Sequence, residues 1–369
     1  MGIPLDLPVM PPTLVRHARR RAAAGRAALL LPPLLALPLP AQQPPSAPLP
    51  DSLPPAGIVE RPLVLGRAPW QLQARLSLPA RGTNVPGVIL MHGSGPGTRD
   101  GDVGPNKVFR EVAWALASRG IAVLRYDKRT TAHAERFRAR GAEATMEEEH
   151  VADAIDALRQ LQTAPEVDPS RTFVLAGSQG TTVAATVALR LAREGGHPVA
   201  GLVLASVGSR PPAEMILEQV DHVVAVARQA GDSAAVREAL ALRPSVERLQ
   251  RPDAPDSLTL FGKPLAYWRS LDPQATWRET REYLATGGRL LVASVDRDYL
   301  TTPADHEAWR RALAGSPRTA FRRYPDLNHL MQPGVGKMTP DEYARPMQVS
   351  RTYLADVAAW IVAGRLPSR

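Results

Sequence analysis

Short apolar runs alternate with longer amphipathic segments along residues 58–205 of the chain. The runs are rich in valine, isoleucine and leucine, which is typical of strands buried in a sheet. Between them, apolar residues recur every three or four positions, as in helices that pack one face against a sheet. The pattern predicts strands at 58–65, 70–78, 88–91, 121–124, 173–175 and 200–205, and helices at 107–119, at 146–161 and after residue 182.

The alternation stops after residue 205 and resumes at residue 289. Segments 213–229 and 233–242 are predicted as helices, and 210–285 holds no convincing strand pattern. A strand at 289–293, a helix at 303–313, a strand at 319–323 and a helix at 349–362 follow. The chain is therefore predicted to have an α/β fold, with a mostly parallel sheet, helices on both of its faces and two antiparallel strands at its start.

Residues 210–285 allow two interpretations. They can form a separate helical domain, or a helical lid inserted over the C-terminal edge of the sheet, where α/β proteins bind ligands. Because strands and helices alternate again beyond residue 285, we expect the lid, within one domain that spans 58–369.

The first 57 residues differ in composition from the rest of the chain. A basic stretch at 16–26 precedes an apolar stretch at 27–39 and the small residue Ala41, which is the order found in a secretory signal peptide. We expect a signal peptide at 1–41 and a proline-rich linker at 42–57, hence a secreted or periplasmic protein. A disordered tail is the alternative. The apolar stretch is too short and too rich in proline to span a membrane as a helix.

Composition excludes several classes of site. The chain has 369 residues and no cysteine, so disulfides, thiolate metal sites and cysteine nucleophiles are excluded. The net charge of +9 comes partly from the arginines of the N-terminal segment, and the other arginines are scattered among acids. This pattern indicates a solvated surface rather than a nucleic-acid-binding one.

The stretch around Ser178 has the pattern of a nucleophile elbow. An apolar strand at 173–175 passes through Ala176, Gly177 and Gly180 into a helix with apolar residues four positions apart. A strand that turns into a helix so abruptly needs small residues, and it would expose the Ser178 hydroxyl in a strained conformation. The alternative is an ordinary turn in which Ser178 caps the helix.

A serine nucleophile needs a base to take its proton and an acid to orient the base. In this fold they follow later strands in the order acid, then histidine. The strand at 289–293 leads into Asp296 and Asp298, and the strand at 319–323 leads into His329. Residue positions favour His329 among the eight histidines, leave His133 open, and leave the choice between the two aspartates open.

The segment from His92 to Gly95 follows the third predicted strand and supplies backbone donors. Its glycines let N–H groups turn toward a ligand, so the N–H groups of Ser94 and Gln179 are expected to bind a developing oxyanion. An ordinary glycine turn is the alternative. A phosphate loop is disfavoured because no Gly-Lys-Ser/Thr sequence follows. Charged residues at the same sheet edge are expected to brace this loop rather than to contact substrate: Arg99, Asp100, Asp127, Lys128 and Arg129.

Several motifs together resemble one family. They are His92-Gly-Ser-Gly-Pro96, Arg99-Asp100, Gly104-Pro-Asn-Lys107, the segment 116–130 with its Arg-Tyr-Asp-Lys-Arg sequence, Val167-Asp-Pro-Ser-Arg171, Asp298-Tyr299 and Leu327-Asn-His-Leu330. Over residues 58–363 the chain resembles the α/β-hydrolase superfamily and, within it, the EstD-type bacterial esterases, which are also labelled dienelactone-hydrolase-like or serine-aminopeptidase-like.

The resemblance implies a carboxylesterase that favours short acyl groups and needs no cofactor. It places the nucleophile on Ser178, the acid on Asp298, the base on His329, and the oxyanion donors on Ser94 and Gln179. Two features depart from the family pattern. The elbow usually reads Gly-His-Ser-x-Gly-Gly, whereas this chain has Ala176-Gly-Ser-Gln-Gly-Thr181, and Val295 stands near the place of a glycine before the acid. The first of these changes is expected to alter the strain of the elbow and to widen the space beside Ser178.

The sequence thus predicts a serine hydrolase that acts on a small-molecule carboxylic ester. A serine peptidase or amidase with the same triad is an alternative, and so is an inactive binding protein on the same fold. The sequence indicates neither the substrate nor the oligomeric state.

Overall fold

The computed structural model describes residues 53–368, so the predicted signal peptide and most of the predicted linker lie outside the described residues. An eight-stranded sheet forms the centre. Its strands are β1 Ile58–Leu65, β2 Leu72–Pro79, β3 Val85–Met91, β4 Ala122–Tyr126, β5 Val167–Gly177, β6 Gly201–Ala205, β7 Arg289–Val295 and β8 Thr319–Tyr324. Their order across the sheet is β1-β2-β4-β3-β5-β6-β7-β8. Strand β2 runs antiparallel to β1 and β4, and all other pairs are parallel.

The burial of the strands follows from this order. Strands β4 and β6 are buried at every position and β7 at all but its first, because helices cover both faces of the central sheet. Edge strand β1 instead exposes Val59 and Val64. The predicted α/β architecture with a mostly parallel sheet is confirmed.

Eight longer helices complete the described part of the chain. They are α1 Val108–Ala117, α2 Ala152–Gln162, α3 Ala184–Arg193, α4 Pro212–Gln229, α5 Ser233–Leu249, α6 Pro273–Ala285, α7 Pro303–Ala312 and α8 Arg351–Ala363. Helices α2, α3, α6 and α7 pack on one face of the sheet, and α1 and α8 pack on the other. Within residues 53–368, no helix is both long enough and apolar enough to cross a membrane.

Some predicted helix boundaries differ from those observed. Helix α2 is preceded by a π-helical turn at Glu147–Val151, so the predicted helix is irregular in its first part. Helix α5 continues through Pro244 to Leu249, whereas the prediction ended it at Leu242. Val246 and Leu249 beyond the proline are buried, and their burial offsets the hydrogen bond that proline cannot make.

The segment between β6 and β7 has a hydrophobic core of its own. Helices α4 and α5 pack against each other and against the short helix Leu265–Arg269. This core also takes in Tyr299 and Leu300, which follow β7, so the segment rests on the C-terminal edge of the sheet. It contains one two-residue ladder, Thr259–Leu260 with Lys263–Pro264, that the sequence pattern did not indicate.

A substitution in β7 tests this layer arrangement. Leu291 is fully buried between the sheet and the α1/α8 layer. Leu291→Ala is therefore expected to lower the free energy of unfolding by about 2–5 kcal/mol, measured by urea unfolding. The matched control is Val59→Ala on β1, where Val59 is 49 % exposed, with an expected loss below about 1 kcal/mol. Equal losses in the two variants would contradict the arrangement.

Candidate active site

A cavity lies at the C-terminal edge of the sheet. It contains about 760 Å³ of space, part of it open to solvent. Its floor includes Ser94 after β3, Ser178 and Gln179 after β5, and Thr301 after β7. The opposite wall comes from the segment between β6 and β7 and is mostly apolar: Pro212, Met215, Ile216, Trp268, Leu271, Pro273 and Trp277 line it. Three of the five predicted site residues thus border one cavity.

Ser178 occupies the strained turn that the sequence predicts. Its φ is 51°, in the left-handed region that non-glycine residues rarely adopt. Strand β5 ends at Gly177, a 3₁₀ turn follows at Ser178–Thr182, and helix α3 begins directly after it. Such a backbone conformation costs about 1–3 kcal/mol and persists only where the surroundings enforce it.

Close contact with the β3 loop enforces this turn. A Cβ on Gly180 would lie 2.3 Å from the carbonyl oxygen of His92, and a Cβ on Gly93 would lie 3.0 Å from Cβ of Ser178. Glycine is therefore required at 180, because the His92 backbone cannot yield as a flexible side chain can, and it is favoured at 93, where the contact is tight. The turn that carries Ser178 and the predicted oxyanion loop at residues 92–95 are therefore in close contact.

Asp298 and His329 form a buried pair. His329 Nδ1 lies 2.6 Å from Asp298 Oδ2, and both side chains are buried. The carboxylate also accepts hydrogen bonds from the backbone N–H of Leu300 (2.7 Å) and the hydroxyl of Thr301 (2.5 Å). With the proton on Nδ1, Nε2 of His329 carries the lone pair that a general base needs.

A hydrogen bond holds the loop that carries His329 next to strand β5, which precedes Ser178. The hydroxyl of Ser206 donates to the backbone carbonyl of His329 at 3.0 Å. Ser206 follows strand β6, the neighbour of β5, and its own φ of 52° is also left-handed. The His329 backbone is therefore tied to the strand next to the Ser178 turn.

The other residues that the sequence left open have different partners. Asp296 accepts a hydrogen bond from Arg323 at 2.6 Å near the surface. His133 donates to the carbonyl of Gln71 at 2.8 Å and meets the ring of Trp70 edge-on. Of the two aspartates, Asp298 is the one that contacts His329.

Lys128 holds the loop that carries Ser94. Its ammonium donates to the carbonyls of Gly93 (2.8 Å) and Gly95 (2.9 Å). The Gly93 carbonyl and the Ser94 N–H belong to one trans peptide and point in opposite directions, so fixing the carbonyl fixes the N–H. Asp127 anchors the same loop further on, through the backbone N–H (2.7 Å) and guanidinium (2.9 Å) of Arg99. These contacts agree with the bracing role predicted for Arg99, Asp127 and Lys128, whereas Arg129 pairs with Asp153 and Asp100 with Arg125.

A second carboxylate, Glu149, connects Lys128 to the segment between β6 and β7. Glu149 lies 2.8 Å from Lys128 Nζ and 3.0 Å from Lys263 Nζ, and the Tyr267 hydroxyl donates to it at 2.6 Å. Burial raises the pKa of Glu149, but the two ammonium groups outweigh it and hold that pKa well below its usual range. Tyr267 also lies 3.0 Å from the side-chain amide of Gln179.

Sequence reasoning missed Glu149 and Tyr267. Glu149 belongs to a run of three glutamates that suits the start of a helix, and Tyr267 lies among apolar residues. Neither has a local motif that would have identified it. Both become visible only when the fold brings them to Lys128 and Gln179.

His92 supports the site without lining the cavity. Its Nε2 donates to the carbonyl of Tyr126 at 2.7 Å. Burial lowers the pKa of His92 to about 4, so its ring is neutral at pH 7.

This pKa predicts how stability changes with pH. Between pH 6.5 and about 4 the unfolded chain binds a proton at His92 that the folded chain does not. The contribution of His92 to stability is therefore complete above pH 6.5 and is lost as the pH falls, by about 2 kcal/mol at pH 5. In His92→Gln the difference in unfolding free energy between pH 7 and pH 5 should shrink by that amount. The control His197→Gln, at an exposed position, should keep the wild-type difference between pH 7 and pH 5. If His92→Gln also keeps that difference, the lowered pKa of His92 is refuted.

Comparisons with known proteins identify the family to which the chain belongs. The model of the Alpha/beta hydrolase family matches residues 88–345. Esterase EstD of Thermotoga maritima is 31 % identical over 318 residues, which cover 85 % of this chain and 70 % of that protein. Among solved structures, a bacterial heroin esterase shares the fold with a TM-score of 0.50 at 18 % identity, covering 86 % of this chain and 87 % of the other. The chain therefore belongs to the α/β-hydrolase family, and its predicted relationship to EstD is confirmed.

Proposed function

We propose that the protein hydrolyses carboxylic esters through an acyl-enzyme, with Ser178 as nucleophile, His329 as general base and Asp298 as the acid that orients the base. The observation that carries the proposal is the strained Ser178 turn above β5 together with the Asp298–His329 pair after β7 and β8. These groups have the types, the order and the sheet edge that serine hydrolysis requires.

The reaction would proceed in two halves. His329 Nε2 takes the proton of the Ser178 hydroxyl as its oxygen attacks the ester carbonyl carbon. The tetrahedral intermediate collapses, and the alcohol leaves with the proton from His329. Water then attacks the acyl-enzyme with the same base and releases the acid. Asp298 stabilises the imidazolium that forms in each half.

The negative charge on the carbonyl oxygen would be met by the N–H groups of Ser94 and Gln179. Removing one such donor costs on the order of 3 kcal/mol of transition-state stabilisation. The Lys128 contacts to the Gly93 and Gly95 carbonyls support this role, because they hold the Ser94 peptide rigid before substrate binds. Preorganised donors need not reorient during the reaction, which is the source of their effect.

The cavity favours an ester over a peptide. Its lining is mostly apolar. An apolar wall suits the acyl and alcohol groups of a small ester better than the polar backbone of a peptide. The names of the relatives, Esterase EstD and bacterial heroin esterase, point in the same direction.

Two further proposals concern the segment 210–285 and the N-terminal segment 1–41. Helices α4 and α6 contribute Met215, Ile216 and Trp277 to the cavity wall, which supports a lid role for residues 210–285. The basic, apolar and small-residue order of residues 1–41 supports export. Sequencing the amino terminus of exported protein checks the second proposal, which requires cleavage near Ala41.

Active-site labelling tests the nucleophile. A fluorophosphonate should modify the wild-type protein, and Ser178→Ala should abolish labelling and ester hydrolysis while the protein stays folded. Asp298→Asn should lower kcat about 10⁴-fold, because the imidazole then takes the wrong tautomer. Ser118→Ala, at an exposed serine, is the control and should label normally. Absence of labelling in the wild type would favour an inactive binding protein.

A substrate panel tests the bond type. We expect p-nitrophenyl acetate and butyrate to be hydrolysed with much higher kcat/KM than aminoacyl p-nitroanilides, since most of the cavity surface is apolar. Hydrolysis of the anilides with the higher kcat/KM would replace the esterase proposal with the peptidase one.

A further inference from the structure

Ser94 has a polar atom that the mechanism above does not use. The residue is 8 % exposed and borders the cavity beside Ser178 and Gln179. Its hydroxyl oxygen is buried and has no hydrogen-bond partner among residues 53–368. Most buried side-chain hydroxyls are partnered, because an unsatisfied one costs about 1–3 kcal/mol. An unpartnered hydroxyl at this place points to a ligand.

The hydroxyl is close to the reacting atoms. A Cβ on Gly93, the residue before Ser94, would lie 3.5 Å from the Ser178 hydroxyl oxygen. A carbonyl carbon bonded to that oxygen would therefore sit against the Gly93–Ser94 peptide. In a gauche rotamer, a serine hydroxyl lies roughly 3 Å from its own backbone nitrogen. The hydroxyl and the N–H of Ser94 can then donate to one oxygen.

Neighbouring carbonyl groups of the Ser94 hydroxyl are bound by other side chains. The carbonyls of Gly93 and Gly95, which flank Ser94 in the chain, accept from Lys128 at 2.8 and 2.9 Å. Thr130 also donates to the Gly95 carbonyl, at 3.4 Å. The Ser94 backbone is therefore held in place, while its hydroxyl donates to no acceptor among residues 53–368. A bond made only to the charged intermediate lowers the barrier more than one that is also made in the resting enzyme.

We propose that the Ser94 hydroxyl donates a third hydrogen bond to the oxyanion, beside the N–H groups of Ser94 and Gln179. The inference rests on the ester hydrolysis proposed above. The proton stays on the Ser94 oxygen throughout, so the group stabilises charge and takes no part in bond breaking. Ser94 thereby contributes both a main-chain and a side-chain donor.

Ser94→Ala tests the proposal because it removes the hydroxyl and keeps the backbone N–H. For p-nitrophenyl acetate we expect kcat to fall roughly 100-fold with little change in KM. The urea midpoint should stay the same or rise, because an unsatisfied buried hydroxyl has been removed. A bystander hydroxyl would give the same stability gain with unchanged kcat, and that result would overturn the proposal.

A transition-state analogue separates this proposal from the proposed function. A trifluoromethyl ketone should add to Ser178 and form a charged hemiketal, and Ser94→Ala should weaken its binding by the same factor as kcat/KM. Unchanged analogue affinity would refute the hydroxyl's role even if ester hydrolysis is established. Failure of the wild type to hydrolyse esters or to react with fluorophosphonate would instead refute the proposed function.

Conservative variants guard against a folding defect. Ser94→Cys keeps a weak donor and should retain more activity than Ser94→Ala, whereas Ser94→Thr keeps a full hydroxyl and should retain the most. If Ser94→Ala does not fold, the comparison of the cysteine and threonine variants tests whether a hydroxyl donor at position 94 is needed. A cysteine variant as active as the threonine variant would contradict the proposal.

Discussion

The candidate site depends on one buried ion pair, between Lys128 and Glu149. Both side chains are 1 % exposed, so two charges have lost nearly all contact with water. Such a pair is tolerated only when further hydrogen bonds satisfy its remaining donors and acceptors. Here those partners are the Gly93 and Gly95 carbonyls on one side and Tyr267 on the other. The loop after β3, the turn before α2 and the segment between β6 and β7 therefore meet at one point.

The ion pair holds the ammonium that positions the loop. Removing one member of a buried pair leaves the other charge uncompensated, at a cost of about 3–5 kcal/mol. Lys128 is therefore kept in place by Glu149, and its hydrogen bonds hold the Gly93 and Gly95 carbonyls. The peptide before Ser94 thus has a fixed direction, and Tyr267 extends the same constraint to the Gln179 side chain. Rigid donors are what oxyanion stabilisation requires.

The sequence predicted the parts of this site that local pattern determines, and not those that depend on distant contacts. Apolar runs identified the strands, and small residues identified the turn at Ser178. Sequence position does not distinguish Asp296 from Asp298, because both follow β7 within three residues. In the fold, Asp296 contacts Arg323 and Asp298 contacts His329. The Glu149–Tyr267 contact joins residues 118 positions apart and leaves no local trace.

The elbow keeps the family's glycine at position 180 and departs from the family pattern at 176 and 177. Gly180 is imposed by geometry, since a Cβ there would lie 2.3 Å from the His92 carbonyl oxygen. Gly177 is not, because its φ of −112° suits any residue and a Cβ would meet no atom within 4 Å beyond its chain neighbours. Ala176 is fully buried in the sheet and its methyl group is accommodated there. Gly177 is therefore required neither by its backbone conformation nor by close packing, and the Ser178 turn does not depend on a glycine at this position.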